Sequence, residues 1–203
     1  PLVKGYSTEM SVDMASLGVQ VHGGMGFIEE TGAAQYYRDA RILPIYEGTT
    51  AIQANDLIGR KTLRDGGAVA VYFADEIDAS VAQLQANRAL AHLAQPLAQA
   101  NAAYREVVAF VLAHTKAQPN AVFAGSVLYL KLAGLLISAW HGARGALAAQ
   151  AQLDAGHADT VFMQSKIATG AFYIQSILPQ AHAWAQAILN AGEVTGDFAV
   201  EQF

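Results

Sequence analysis

Along most of this chain apolar side chains return every three or four positions, and nowhere do they alternate long enough to mark a strand. Met10, Met14, Leu17 and Val21 form one such face and predict a helix over residues 7–21, closed by Gly23-Gly24. A second helix is predicted over residues 31–41, with the break at Pro44. Thr50, followed by Gln53 three residues on, has the capping-box pattern and opens a third helix running to about Lys61. Further on, residues 69–94 and 96–114 have helical composition, and Pro96 suits a first turn. Residues 120–152 read as one long helix. Gly134, Ser138, Gly142, Gly145 and Ala149 fall along it at steps of four and three, a smooth face that lets a neighbouring backbone approach. Residues 159–191 are the last predicted helix, bent at Pro179. The expected fold class is all-α, built from bundled helices.

Composition sharpens this picture without changing it. The stretch before Arg64-Asp65-Gly66-Gly67 is dense in Gly, Tyr, Thr and Arg, and the stretch after it is rich in Ala. The expected organisation is therefore one helical unit over residues 1–65 and an Ala-rich helical extension over residues 66–203. Hydrophobic residues make up 53% of the chain and charged residues 14%, too apolar a balance for disorder. The net charge of −5 is spread evenly, with no basic stripe to meet a phosphate backbone, so nucleic acid is not an expected partner. Cysteine is absent, which rules out disulfides, thiolate metal sites and cysteine catalysis, and fits a cytoplasmic location. Residues 167–192 lack charge but carry Gln175, Gln180, His182, Gln186 and Asn190, and the run 121–140 is interrupted by Lys131, so no membrane span is expected. An opening of Pro1-Leu2, without an initiator Met or a leader pattern, is expected of a piece of a longer protein.

Candidate chemistry is sparse. The six histidines, at 22, 92, 114, 141, 157 and 182, show no His-x-x-x-His or Glu-x-x-His spacing, so no metal centre is expected. Neither a P-loop nor a Gly-x-Gly-x-x-Gly fingerprint is present. Glu47 stands apart: it sits between apolar Ile45-Tyr46 and Gly48 at the mouth of a predicted helix. A carboxylate there is a candidate general base, although a solvated Glu before a helix is the commoner case. Gly48 would let a ligand approach the backbone, or serve only as a turn. Gly23, Gly24 and Gly26 read equally well as an anion nest or as a helix cap and turn.

Three segments in register carry a resemblance. Gln20-Val21-His22-Gly23-Gly24-Met25-Gly26-Phe27, Tyr36-Tyr37-Arg38-Asp39-Ala40-Arg41 and Ile45-Tyr46-Glu47-Gly48-Thr49 resemble the C-terminal helical domain of the acyl-CoA dehydrogenases across residues 4–61. The resemblance implies an FAD-dependent enzyme that converts an acyl-CoA thioester to its trans-2-enoyl form. It passes electrons to an electron-transferring flavoprotein or similar acceptor, and works as a homodimer or dimer of dimers. It further implies that Glu47 is the catalytic base and that Gly48 lines the thioester end of the substrate. Thr49 and Thr50 would touch FAD, while Gln20, Gly23 and Gly24 would bind the FAD of a neighbouring subunit. Two departures stand out: many members carry Arg where this chain has Gly59, with Arg60 next to it, and Ala51 replaces a common polar residue. The segments Gly26-Phe27-Ile28-Glu29-Glu30-Thr31-Gly32 and Asp56-Leu57-Ile58-Gly59-Arg60-Lys61, with the residues beyond them, are similar to a long-form subgroup of the family. No catalytic constellation is found in residues 66–203, and the chain alone is expected to be inactive. Two other readings stay open: a DNA-repair-associated flavoprotein of the same superfamily, or a helical oligomerisation module without catalysis.

Overall fold

In a computed structural model the chain is a succession of helices, and there is no strand among the residues described, which are 1–156, 158–195 and 201. A π-helical turn, Leu2–Tyr6, leads into α1 (Ser7–His22); α2 (Gly24–Phe27) and α3 (Ala33–Ile42) follow. The loop after α3 delivers α4 (Thr50–Asp56), which continues as a second π-helical segment, Leu57–Thr62. Beyond a turn at Gly66-Gly67 come α5 (Ala68–Ala86), α6 (Ala94–His114), α7 (Pro119–Ala124) and α8 (Ser126–Asp154). The last two are α9 (Thr160–Phe172) and α10 (Gln180–Thr195), with a third π-helical segment, Tyr173–Ile177, between them.

The central element is α8. Leu132, Leu135, Leu136, Ala139, Ala143 and Ala146 are all buried along it, and α4, α5, α6, α9 and α10 pack around it. Residues on both sides of Gly66-Gly67 enter one hydrophobic cluster: Ala54, Leu57 and Ile58 from the first stretch join Ile77, Leu97, Val107, Leu136 and Ile188 from the second. Polar links pin the interior. Trp140 Nε1 donates to Ser80 Oγ at 2.8 Å, and its ring meets Phe73 edge-on. Thr62 and Tyr129 share a hydroxyl bond of 2.9 Å beneath the stacked ring of Tyr104. Burial first, and then Tyr129, holds the Tyr104 phenol well above its ordinary range; burial raises Tyr129 too, against the opposing bond from Thr62.

Several boundaries differ from the pattern. The expected helix over 120–152 is interrupted at Gly125, where α10 comes close: a Cβ there would lie 3.0 Å from Ile188 Cγ2 and 3.3 Å from its Cα. The last expected helix is two helices, separated by the Tyr173–Ile177 segment and Pro179, whose missing N–H cannot continue a ladder. The helix expected over 69–94 stops at Ala86. Its continuation is a turn in which Asn87 Oδ1 accepts from the N–H of Ala89. The small-residue face of α8 serves two partners: Gly134 receives the ring of Tyr6, and Gly142 faces the backbone of Gly170 on α9. Gly145 meets nothing within 4 Å. Tyr129 and Trp140 belong to the core, while Tyr173 and Trp184 line a groove of about 570 Å³ between α1 and α8–α10. No described helix is long and apolar enough to cross a membrane.

Candidate active site

The loop between α3 and α4 is shaped by its ends. Leu43 N–H bonds to Ala40 O at 3.1 Å, and both Ile45 N–H and Tyr46 N–H return to Ile42 O. Buried Pro44 anchors the turn from beneath. The chain then makes two successive left-handed residues, Glu47 at φ 52° and Gly48 at φ 95°. Glycine adopts such a φ freely, but for a glutamate it costs on the order of 1 kcal/mol. Glu47 is the one described non-glycine residue with positive φ. Strain of this kind gathers where a side chain must be aimed. The Glu47 side chain is exposed, and neither its N–H nor that of Gly48 has an acceptor among the described residues. A Cβ on Gly48 would lie 2.9 Å from Gln53 Nε2, so the glycine also keeps the loop seated on α4.

Thr49 is extended and is the residue before the first helical one, so the expected cap at Thr50 is displaced by one position. Neither threonine forms the capping box, because Thr50 Oγ1 instead donates across to Glu9 Oε1 on α1. On the other flank of the loop, Lys4 Nζ donates to Leu43 O at 2.6 Å, and its ammonium lies 5.1 Å from the centre of the Tyr46 ring. Sequence reasoning missed Lys4 and Glu9. Their partners are 39 and 41 residues away, and neither side chain belongs to a local motif.

Gln20, Gly23 and Gly24 are exposed at the opposite end of α1. Glu9 and Gln20 are eleven residues apart on a helix rising 1.5 Å per residue, which separates the two groups by roughly 17 Å. Gly23, at φ 60°, ends α1 with its N–H on Gln20 O at 3.0 Å, as a cap would. A Cβ added at Gly23 or Gly24 meets nothing of this chain within 4 Å, so packing here does not require either glycine, and the space over them is open to an outside group. Gly26 differs: a side chain there would strike Val19 O. Arg38 clamps Glu29 with two bonds of 2.8 and 2.7 Å, and this pair draws the Glu29 carboxyl below its ordinary range. Arg60, beside Gly59, pairs with Asp56 at 3.1 Å and is otherwise exposed. Around this end of the molecule Met14, Leu17, Val21, Phe27 and Tyr36 all leave large apolar surfaces exposed, and no residue of α1 or α3 is buried.

The all-helical body thus presents one strained carboxylate on a loop and, beyond the far end of α1, an open glycine turn. The family model described as acyl-CoA dehydrogenase, C-terminal domain, matches residues 1–62, and the one described as acetyl-CoA dehydrogenase C-terminal like matches residues 73–198. The chain belongs to the acyl-CoA dehydrogenase family, of which it carries the C-terminal part. It is 53% identical over 194 residues to 3-methylmercaptopropionyl-CoA dehydrogenase of Ruegeria pomeroyi, covering 95% of this chain and 33% of that protein. It is 34% identical to the broad-specificity linear acyl-CoA dehydrogenase FadE5 of Mycobacterium tuberculosis, over 88% of this chain and 31% of the relative. A butyryl-CoA dehydrogenase of Syntrophomonas wolfei is 31% identical over 94% of this chain and 32% of its own length. The chain thus spans about a third of the length of these relatives.

Proposed function

We propose that this chain is the C-terminal part of an FAD-dependent acyl-CoA dehydrogenase and supplies its catalytic base. The observation that carries the proposal is Glu47: an exposed carboxylate held at positive φ, beside two backbone N–H groups without acceptors among the described residues. In this reading the Glu47 carboxylate takes a proton from the α-carbon of an acyl-CoA thioester. The free N–H of Glu47 donates to the thioester carbonyl, which acidifies that carbon. Gly48 leaves room for the thioester, and Thr49 and Thr50 face the flavin. FAD, when bound, accepts the hydride that leaves the β-carbon, so that the product is the trans-2-enoyl-CoA. The open space over Gly23 and Gly24 fits a bulky ligand, which with Gln20 would be the FAD of a neighbouring subunit. Gln20 stands roughly 17 Å along α1 from Glu9, and in this reading the two ends of the helix serve different sites of a homodimer or dimer of dimers. Residues 1–65 are the part of the helical domain that holds the base; residues 66–203 form an extension that braces it.

Because Glu47 faces outward with no pocket wall of its own, the chain alone should not turn over substrate. An electron-transferring flavoprotein or similar acceptor in the cytoplasm would reoxidise the whole enzyme. The acidic, evenly spread charge gives no support to a DNA-binding reading. The test uses the full-length protein. Mixed anaerobically with short- to long-chain acyl-CoAs, and with 3-methylmercaptopropionyl-CoA, it should lose its visible flavin band, while Glu47→Gln should leave the band almost intact. Equal bleaching by the two proteins would overturn the base assignment.

A further inference from the structure

We infer that Lys4 is a positioning residue for the Glu47 loop, acting through the backbone and never touching substrate. The inference rests on the reading of Glu47 as the base. Left to itself a glutamate avoids φ 52°, so something must hold the loop in that shape. The structure offers two restraints, one at each end of residues 43–50. At the far end Glu9 accepts a hydrogen bond from Thr50. At the near end Lys4 does two things at once. Its ammonium donates to the carbonyl of Leu43, one of the groups left without an intrahelical partner where α3 ends. The same charge sits over the face of Tyr46, the residue directly before the base. Among the described residues Lys4 has no carboxylate partner, so its cation is committed to the loop alone.

Lys4 and Glu9 lie on continuous helix, and that helix is itself fixed to α8. A side chain at Gly5 would collide with Leu130, and one at Gly134 would collide with the Tyr6 ring. The Tyr6 hydroxyl in turn shares a 2.9 Å bond with that of Tyr173. The support for the base therefore runs from the extension, through α8 and the first turn, into the loop. Catalytic geometry is sensitive to such support, since a misplacement of about 1 Å can cost on the order of 100-fold in rate. The Glu9 bond still anchors the far end of the loop, so loss of Lys4 alone should cost less.

The test is made on the full-length enzyme with Lys4→Met, which keeps the length of the side chain but removes both the donor and the charge. Anaerobic flavin reduction by a saturating acyl-CoA should slow about 10-fold, a barrier increase of about 1.4 kcal/mol. The half-saturating thioester concentration and the flavin content should stay within about twofold, because uniform binding is untouched. Amide hydrogen exchange of peptides covering residues 43–50 should quicken, with peptides of α8 unchanged. Lys4→Arg, which restores donor and charge, should recover most of the rate. A parental rate in Lys4→Met, a rate lost in step with thioester binding, or unchanged exchange at residues 43–50 would each overturn the inference. Should Lys4→Met fail to fold, Lys4→Gln takes its place. It keeps a donor but loses the charge over Tyr46, so it should fall between the parent and a roughly 10-fold loss; a parental rate again sinks the idea. Glu47→Gln is run beside them. If it bleaches normally the base assignment itself fails, an outcome distinct from any behaviour of Lys4.

Discussion

Gly134→Ala reports on whether the first turn is truly seated on α8. The added Cβ would stand 2.2 Å from Tyr6 Cγ and 2.6 Å from both Cδ atoms, and these are its three nearest neighbours. No rotation of the methyl relieves this, so the ring must move, and with it the Tyr6–Tyr173 hydroxyl bond. Overpacking of this kind costs about 1–3 kcal/mol, and the lost hydrogen bond about 1 kcal/mol more. Against that, Ala in place of Gly inside a helix contributes about 0.8–1 kcal/mol. The net expectation is a loss of roughly 1–3 kcal/mol, or a melting temperature lower by about 2–12 °C at 2–4 °C per kcal/mol for a unit of this size. The decisive measurement is a double-mutant cycle by thermal or denaturant unfolding. In a Tyr6→Ala background the ring is gone, the clash with it, and Gly134→Ala should then stabilise by about 0.5–1 kcal/mol. A reversal of sign between the two backgrounds is what this geometry demands. If Gly134→Ala is neutral or stabilising with Tyr6 present, the first turn is not seated on Gly134, and the support inferred for Glu47 loses its base.

The same reasoning distinguishes two other glycines, Gly170 on α9, which faces the smooth surface, and Gly145 on that surface itself. Gly170→Ala puts a Cβ 2.7 Å from Gly142 O, a backbone atom that cannot swing aside, and net of the helix gain should destabilise by up to about 2 kcal/mol in denaturant unfolding. Gly145→Ala meets nothing and should stabilise by about 0.5–1 kcal/mol in the same assay. The Glu29 carboxyl is drawn down first by the hydrogen bonds from Arg38 and then by its charge, so the pair holds above the ordinary carboxylate range and is lost as pH falls through the lowered value. Carboxyl NMR should show Glu29 titrating late on acidification, and Arg38→Gln should move that titration upward. Tyr104 and Tyr129 are raised chiefly by burial, so their neutral forms support the fold below pH 10, and that support is lost as pH rises through their folded values. Ultraviolet phenolate absorbance should show these two ionising above the ordinary phenol range, in step with unfolding.

What the sequence revealed, and what it hid, divides along physical lines. Helices were legible because burial imposes a 3.6-residue period, and α1 and α6 lie almost where the pattern puts them. Helix ends were less so. The break at Gly125 coincides with the close approach of Ile188, which no neighbour in sequence announces; Pro179 marked the bend in the last helix, but not the π-helical segment before it. Thr50 shows the limit most clearly. Its spacing to Gln53 satisfies a capping pattern, yet its hydroxyl goes to Glu9, a partner that only the tertiary fold brings near. At the candidate site, Glu47 and Gly48 could be singled out as a carboxylate and a glycine before a helix, but not the left-handed turn that aims them, nor the lysine that holds the turn. Motifs are read where neighbours in sequence share a task. The groups that hold a motif in shape come from wherever packing delivers them. The residues most worth mutating next to Glu47 are therefore Lys4 and Glu9, which no motif contains.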